Sequence, residues 1–203
     1  MTTTLSQVRR KALRSLIPPQ RQPLSQWIER ELRLPEGTAL SGSVELWPFQ
    51  RDIADAITDP ALERVSLVKP VQVGFTTLLV GAIGNFVANE PSQTLVVLPT
   101  EADCRNFVVS EIEPVFSATP ALNGVLASGQ DDRERNTLMH RLFPGGSLKV
   151  VAAKSPRNLR SHKARVLLMD EVDAMEVSAE GSPIRLAENR TVTFRDRKIV
   201  LGS

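Results

Sequence analysis

Two kinds of apolar pattern alternate along this chain. Short, mainly apolar runs occur at 65–68 (with Ser66 inside), 94–98 (opened by Thr94) and 166–169, and a fourth at 198–201 opens on Lys198. Such runs are what strands buried on both faces require. Between them, apolar residues recur at helical spacing. They predict helices beginning at Trp47-Pro48, over 76–89, and over 102–116 with a break at Pro114. Segments 137–143 and 147–152 flank Pro144, Gly145 and Gly146, which reads as a hairpin turn. Residues 25–32 form a short amphipathic helical pattern with Ser25 as its cap. Strands alternating with helices predict an α/β fold around a mostly parallel, buried sheet.

Two strand ends carry candidate chemistry. After 65–68 come Lys69, Pro70, Val71, Gln72, Val73, Gly74, Phe75, Thr76 and Thr77. A phosphate-binding loop is usually Gly, four residues, then Gly-Lys-Ser/Thr. Aligned on Gly74, this chain puts Lys69 at the first glycine, Phe75 at the lysine and Thr76 at the hydroxyl. Gly74 still permits backbone N–H groups to approach phosphate oxygens, and the following helix adds its positive end. Lys69 has a flexible stem and can reach phosphates from a different backbone position. A phenylalanine and two threonines at this helix start imply that something packs there. The alternative is an ordinary strand–helix turn with a surface lysine.

After 166–169 come Asp170 and Glu171. Asp170, at the strand tip, is placed to hold Mg2+. Glu171, one residue on, is placed to orient or deprotonate an attacking water. The plainer reading is an acidic turn that favours a helix start. Asp173 reads as a solvated acid rather than as a partner that supports the metal-holding carboxylate. Together the two segments point to nucleotide triphosphate hydrolysis.

Composition narrows the picture. The chain has 203 residues, 41% apolar, with 25 Lys and Arg against 23 Asp and Glu. That is enough for one core, and the small net charge proves nothing about nucleic acid. No apolar run is long enough to span a bilayer. One cysteine (Cys104) and two histidines (His140, His162) cannot build a Cys/His zinc site, and Cys104 reads as inert on its helix. Residues 1–36 are rich in arginine and interrupted by Pro18, Pro19 and Pro23. They read as a basic arm outside the core, with 37–203 as the nucleotide domain. The chain ends directly after a strand, which reads as a truncation.

The ordered motifs resemble the lambda-type (A-protein) family of phage terminase large subunits. Lys69 to Thr77 is similar to that family's deviant phosphate loop, and Leu46-Trp-Pro-Phe-Gln50 to its adenine-side motif. Val97 to Asp103 is similar to the segment after its second strand. Asn158 to Ser161 and Leu168 to Asp173 are similar to its acidic motif and approach, and Gly202-Ser203 to the start of its coupling motif. The resemblance implies a RecA-like P-loop NTPase fold, incomplete at its C-terminal end. It implies ATP and Mg2+ as ligands. Lys69, Gln72, Val73, Gly74, Phe75, Thr76 and Thr77 would lie at the phosphates, with Thr76 and Asp170 on the metal and Glu171 on the water. Gln50 would contact adenine, and Gly202 and Ser203 would sense the γ-phosphate. Arg157 and Arg160 would stabilise charge there, or else form a solvated basic loop. Trp47 and Phe49 read as core or hinge packing rather than as a base-stacking platform.

The same resemblance implies double-stranded DNA, a small terminase subunit and a portal or procapsid as partners. It implies a homo-oligomeric ring, no membrane, and the cytoplasm of a bacterial host. The basic arm matches in position the part that meets the small subunit. The family's nuclease carboxylates have no counterpart here, so DNA cleavage by this chain is not expected. Two other readings stay open: a helicase-like DNA translocase, and a prophage remnant that binds nucleotide or a partner without turnover.

Overall fold

The computed structural model describes Arg9, Leu13 and residues 21–37, 41–70, 72–125 and 137–203. The rest of the basic arm expected at 1–36, up to residue 20, lies outside the described residues. A six-stranded sheet runs in the order β3-β8-β7-β4-β6-β5. Its strands are β3 (Arg64–Leu67), β4 (Gln93–Leu98), β5 (His140–Phe143), β6 (Gly146–Ala152), β7 (Val166–Met169) and β8 (Lys198–Gly202). All neighbours pair parallel except β5, which folds back on β6 across the hairpin at Pro144 and Gly145. A two-residue pair, β1 (Arg33–Leu34) with β2 (Gly42–Ser43), stands apart.

The apolar runs are explained by two cores. Successive strand residues point to opposite faces. Val96, Val166, Leu168 and Val200 therefore enter one core. Leu95, Leu167, Met169, Ile199 and Leu201 enter the other. On the first face lie α1 (Leu24–Glu31), α2 (Pro48–Thr58), α3 (Phe75–Ala88), α4 (Glu101–Asn106) and α5 (Glu113–Ala118). On the second lie the short helices α6 (Pro156–Arg160) and α7 (Pro183–Glu188), through Leu159 and Ala187. α3 is buried along nearly its whole length, as its lack of a polar face requires.

Four expectations are corrected here. First, the arm does not extend to residue 36. Leu24, Trp27, Ile28 and Leu32 belong to the main core. α1 gets there because α3 offers glycines beneath it: a Cβ on Gly81 would lie 2.6 Å from Ile28, and one on Gly84 would lie 2.7 Å from Trp27. Second, Ser25 is not the cap. The helix starts at Leu24 after Pro23, and the Ser25 N–H donates to Asp55 on α2 at 2.9 Å. Third, Pro114 does not end its helix. A six-residue π-helical stretch, Phe107–Ile112, joins α4 to α5 just before it. The wider turn accommodates a residue with no N–H to donate. Fourth, Trp47 and Phe49 are not core: they are 68% and 46% exposed.

Among the described residues no helix is long and apolar enough to cross a membrane. Because Gly84 is the gap into which Trp27 fits, Gly84→Leu must displace the indole. We expect a loss of about 1–3 kcal/mol in urea unfolding, and an unchanged midpoint would contradict this account of how α1 docks.

Candidate nucleotide site

Three adjacent strands, β3, β8 and β7, end at the same edge of the sheet, where a parallel α/β fold places its functional loops. β3 delivers the loop from Lys69 to Gly74. β8 delivers Gly202 and Ser203. β7 delivers Asp170 and Glu171. Backbone bonds lock these ends together: the Lys69 N–H donates to the Ser203 carbonyl at 2.8 Å, and the Ser203 N–H to the Leu67 carbonyl at 3.0 Å.

Across these ends the Lys69 ammonium reaches Asp170 Oδ1 at 3.3 Å, with both side chains largely buried. It also lies 5.4 Å from the centre of the Phe75 ring, a cation–π contact. Phe75, standing where a lysine is usual, is thus a buried platform beneath Lys69. It also fills the space over Gly202. A Cβ on Gly202 would lie 2.3 Å from the Phe75 ring and 2.8 Å from Asp170 Oδ1. Only glycine lets β8 pass between the phosphate loop and the acidic strand end.

Gly74 caps α3 in the left-handed region, at φ 74°, and the first turn of α3 holds no acid. The helix's positive end and its free N–H groups therefore face the loop uncompensated. Thr76 and Thr77 are half-buried in that first turn. Among the described residues the non-glycine residues with positive φ are Gln72 (61°) and Glu171 (54°). Both sit in the candidate loops, where stored backbone strain tends to gather. The Glu171 N–H donates to Asp170 Oδ1 at 2.9 Å, while its own side chain is exposed.

Gln50 braces the loop from outside. Its amide donates to the Val73 carbonyl at 2.8 Å and accepts from the Trp47 N–H at 2.9 Å. A Cβ on Gly74 would strike it at 2.6 Å. Beside this brace opens a cleft of about 600 Å³ lined by Leu46, Trp47, Gln50, Gly74 and Thr77 among others.

The structure does not gather every expected residue. Arg157 and Arg160 lie on α6, which follows β6, and β4 stands between β6 and β7. Arg160 is ion-paired with Glu180. Asp173 is exposed, as expected of a solvated acid, and its carboxylate also accepts the Ser203 hydroxyl. Nothing in one dimension marks a partner thirty residues away, so sequence reasoning missed that link. The rings of His140 and His162 meet at a tilt of 49°, 5.6 Å between centres, on the far edge of the sheet near Lys149.

A parallel sheet with a glycine-capped phosphate-type loop after one strand and paired carboxylates after another defines a RecA-like nucleotide triphosphatase fold. The family follows from comparison. Residues 38–203 match the family described as phage terminase large subunit gpA, ATPase domain, and the chain belongs to it. The chain is 31% identical over 185 residues to the terminase large subunit of Escherichia phage lambda, covering 89% of itself and 29% of that relative. It therefore spans well under half of the curated relatives it matches. Its fold is similar to the crystal structure of the HK97 bacteriophage large terminase, with a TM-score of 0.70 and 16% identity, covering 89% of this chain and 37% of that one. The Thermus phage P74-26 large terminase ATPase domain is similar at a TM-score of 0.55 and 17% identity, over 78% of this chain and 64% of that one. The UvsW helicase of bacteriophage T4 is similar at 0.56 and 13% identity, over 98% and 69%.

Cys104 lies in α4, buried, and desolvation is the chief cause that pushes its thiol up to about 12. It stays protonated at pH 8, so we expect negligible modification by a disulfide-exchange reagent in the native chain and full reaction in urea. Rapid native labelling would refute the packing described for α4.

Proposed function

We propose that this chain binds and hydrolyses ATP with Mg2+, as the ATPase domain of a terminase large subunit, and that hydrolysis drives double-stranded DNA into a procapsid. The observation that carries the reading is the Lys69–Asp170 contact across Gly202. It brings the one loop cation and the strand-tip carboxylate to a single point, beside the open positive end of α3. The family membership supports the same reading.

Each residue has a role in it. The backbone from Gln72 to Phe75, with Gly74 at its turn, cradles the phosphates. Lys69 turns from Asp170 toward the β- and γ-phosphates. Thr77 lies one residue further into the helix start. Thr76 and Asp170 would hold Mg2+, and the donor set fits: a hydroxyl in the first helical turn and a carboxylate whose second oxygen is not the one held by Lys69. When bound, the ion neutralises phosphate charge. Glu171 accepts the proton of the attacking water. Gly202 and Ser203 lie where the γ-phosphate end is sensed, and Gln50 lies on the base side. Arg157 and Arg160, remote in strand order, act only if α6 faces the phosphates in an assembled ring. The helicase-like fold alone does not separate a terminase from another translocase, whereas the family match favours the terminase.

With the parent chain we expect Mg2+-dependent release of phosphate from ATP. Glu171→Gln should cut turnover by about 10²–10⁴-fold while ATP still binds. Lys69→Ala should weaken ATP binding itself. Undiminished turnover in Glu171→Gln removes it as the base.

The basic segment before α1, within residues 1–20, is proposed as the assembly segment that meets the small subunit. Residues 37–203 form the nucleotide domain, with α1 packed on it. Deleting 1–20 should leave ATP turnover intact and abolish co-purification with the small subunit. Unchanged co-purification would refute that assignment.

A further inference from the structure

We propose that His140, Lys149 and His162 form a second binding site, for a tetrahedral oxyanion of the phosphate class, on the far edge of the sheet from the nucleotide loops. Charge is laid out unevenly along the chain. Residues 135–169 carry eight Lys and Arg and no Asp or Glu, although the whole chain has a formal net charge of only +2. Three of these cations are matched by acids from outside the stretch: Arg141 by Glu113, Arg160 by Glu180, and Arg165 by Glu90 and Asp196. Lys149 has no carboxylate partner among the described residues, and its ammonium meets His162 Nε2 instead.

The topology brings the three bases together. His140 on β5 stands directly opposite Lys149 on β6 in the antiparallel register, so both side chains leave the same face. His162, in the turn between α6 and β7, meets them there, its ring 5.6 Å from that of His140. All three are half-buried. Lys149 also opens onto a groove of about 480 Å³ that it lines with Glu101, Arg105 and Asn158. Arg157 and Lys163, either side of His162 in the chain, are exposed. An ammonium has no lone pair, so where it meets Nε2 the imidazole must accept and is neutral. Protonating His162 would break that bond and set like charges side by side. Burial first, and then the charge of Lys149, holds both imidazoles below the usual histidine range, and burial lowers Lys149 too. An oxyanion reverses this balance. It accepts from the ammonium and from both protonated rings at once, so its binding takes up protons and strengthens as pH falls.

The chain has two histidines, so labelled imidazoles give two assignable NMR titrations in the untagged full chain. They are followed at constant ionic strength in chloride alone, with sulfate, and with a short DNA duplex. Both probes stay ionised across the range in which histidine titrates. Each imidazole should titrate below its ordinary value in chloride. A bound oxyanion should raise each midpoint by about one pH unit, roughly a tenfold preference for the protonated form. Lys149→Met should abolish the rise. A rise with sulfate, with or without the duplex, upholds the site as a pocket for a free oxyanion. A rise with the duplex alone upholds it as a site for backbone phosphates. No rise with either probe, a rise at one imidazole only, or an undiminished rise in Lys149→Met overturns the proposal. Should Lys149→Met fail to fold, His162→Gln carries the same test through His140, whose rise must then shrink.

Discussion

Everything at this site depends on how closely three backbones approach at Gly202. β8 runs between β3 and β7, and its last paired residue is wedged between the Phe75 ring and the Asp170 carboxylate. With any side chain there, Phe75 would be pushed off its platform. Lys69, lying over that ring, could then no longer meet Asp170. The parallel register supplies the rest: Leu67 faces Gly202, and Met169 faces Leu201, so the loop and the acid leave the sheet at nearly the same level. The site is therefore a property of strand order and of one missing Cβ, and the polar residues are mounted on that frame.

The frame also explains why the loop can lack a lysine at its usual place. A lysine in the first turn of α3 would need the space that Phe75 occupies against Gly202. Putting the cation at the strand's end frees that position for packing, and the ammonium still arrives at the same point. The two adjacent carboxylates, Asp170 and Glu171, repel each other. Their arrangement limits that cost: Asp170 is buried and compensated by Lys69 and by the Glu171 N–H, while Glu171 turns outward through a left-handed backbone. A ligand that draws Lys69 away must leave a positive charge in its place, because a buried carboxylate stripped of its partner is costly.

The sheet was legible because its central strands β4, β7 and β8 are buried on both faces, and two cores on opposite sides require that. Lys69, Gly74, Thr76, Asp170 and Glu171 were legible as strand-end chemistry, since spacing within a loop is local information. What failed was non-local. The basic character of 1–36 hid the helix at its end, because Leu24, Trp27, Ile28 and Leu32 make a core face only once Gly81 and Gly84 open space for them. Trp47 and Phe49 were read as packing because large apolar residues usually are, yet α2 turns them outward. The Ser203–Asp173 bond joins segments that meet only through the parallel register of β7 and β8.

These contacts form one unbroken path. Trp47 is bonded to Gln50, and Gln50 to Val73 beside Gly74. Phe75 follows and presses on Gly202, and Ser203 is bonded to Asp173 in the short 3-10 turn after Glu171. The approaches at Gly74 and Gly202 are too close for a Cβ. The loop from Lys69 to Gly74 thus touches the cleft beside Trp47 through Gln50 and, through Phe75 and Gly202, the strand end that leads to the acidic turn. Close packing of this kind resists gradual deformation. A displacement at one end would have to be taken up at these close approaches, the kind of linkage a nucleotide-driven domain needs.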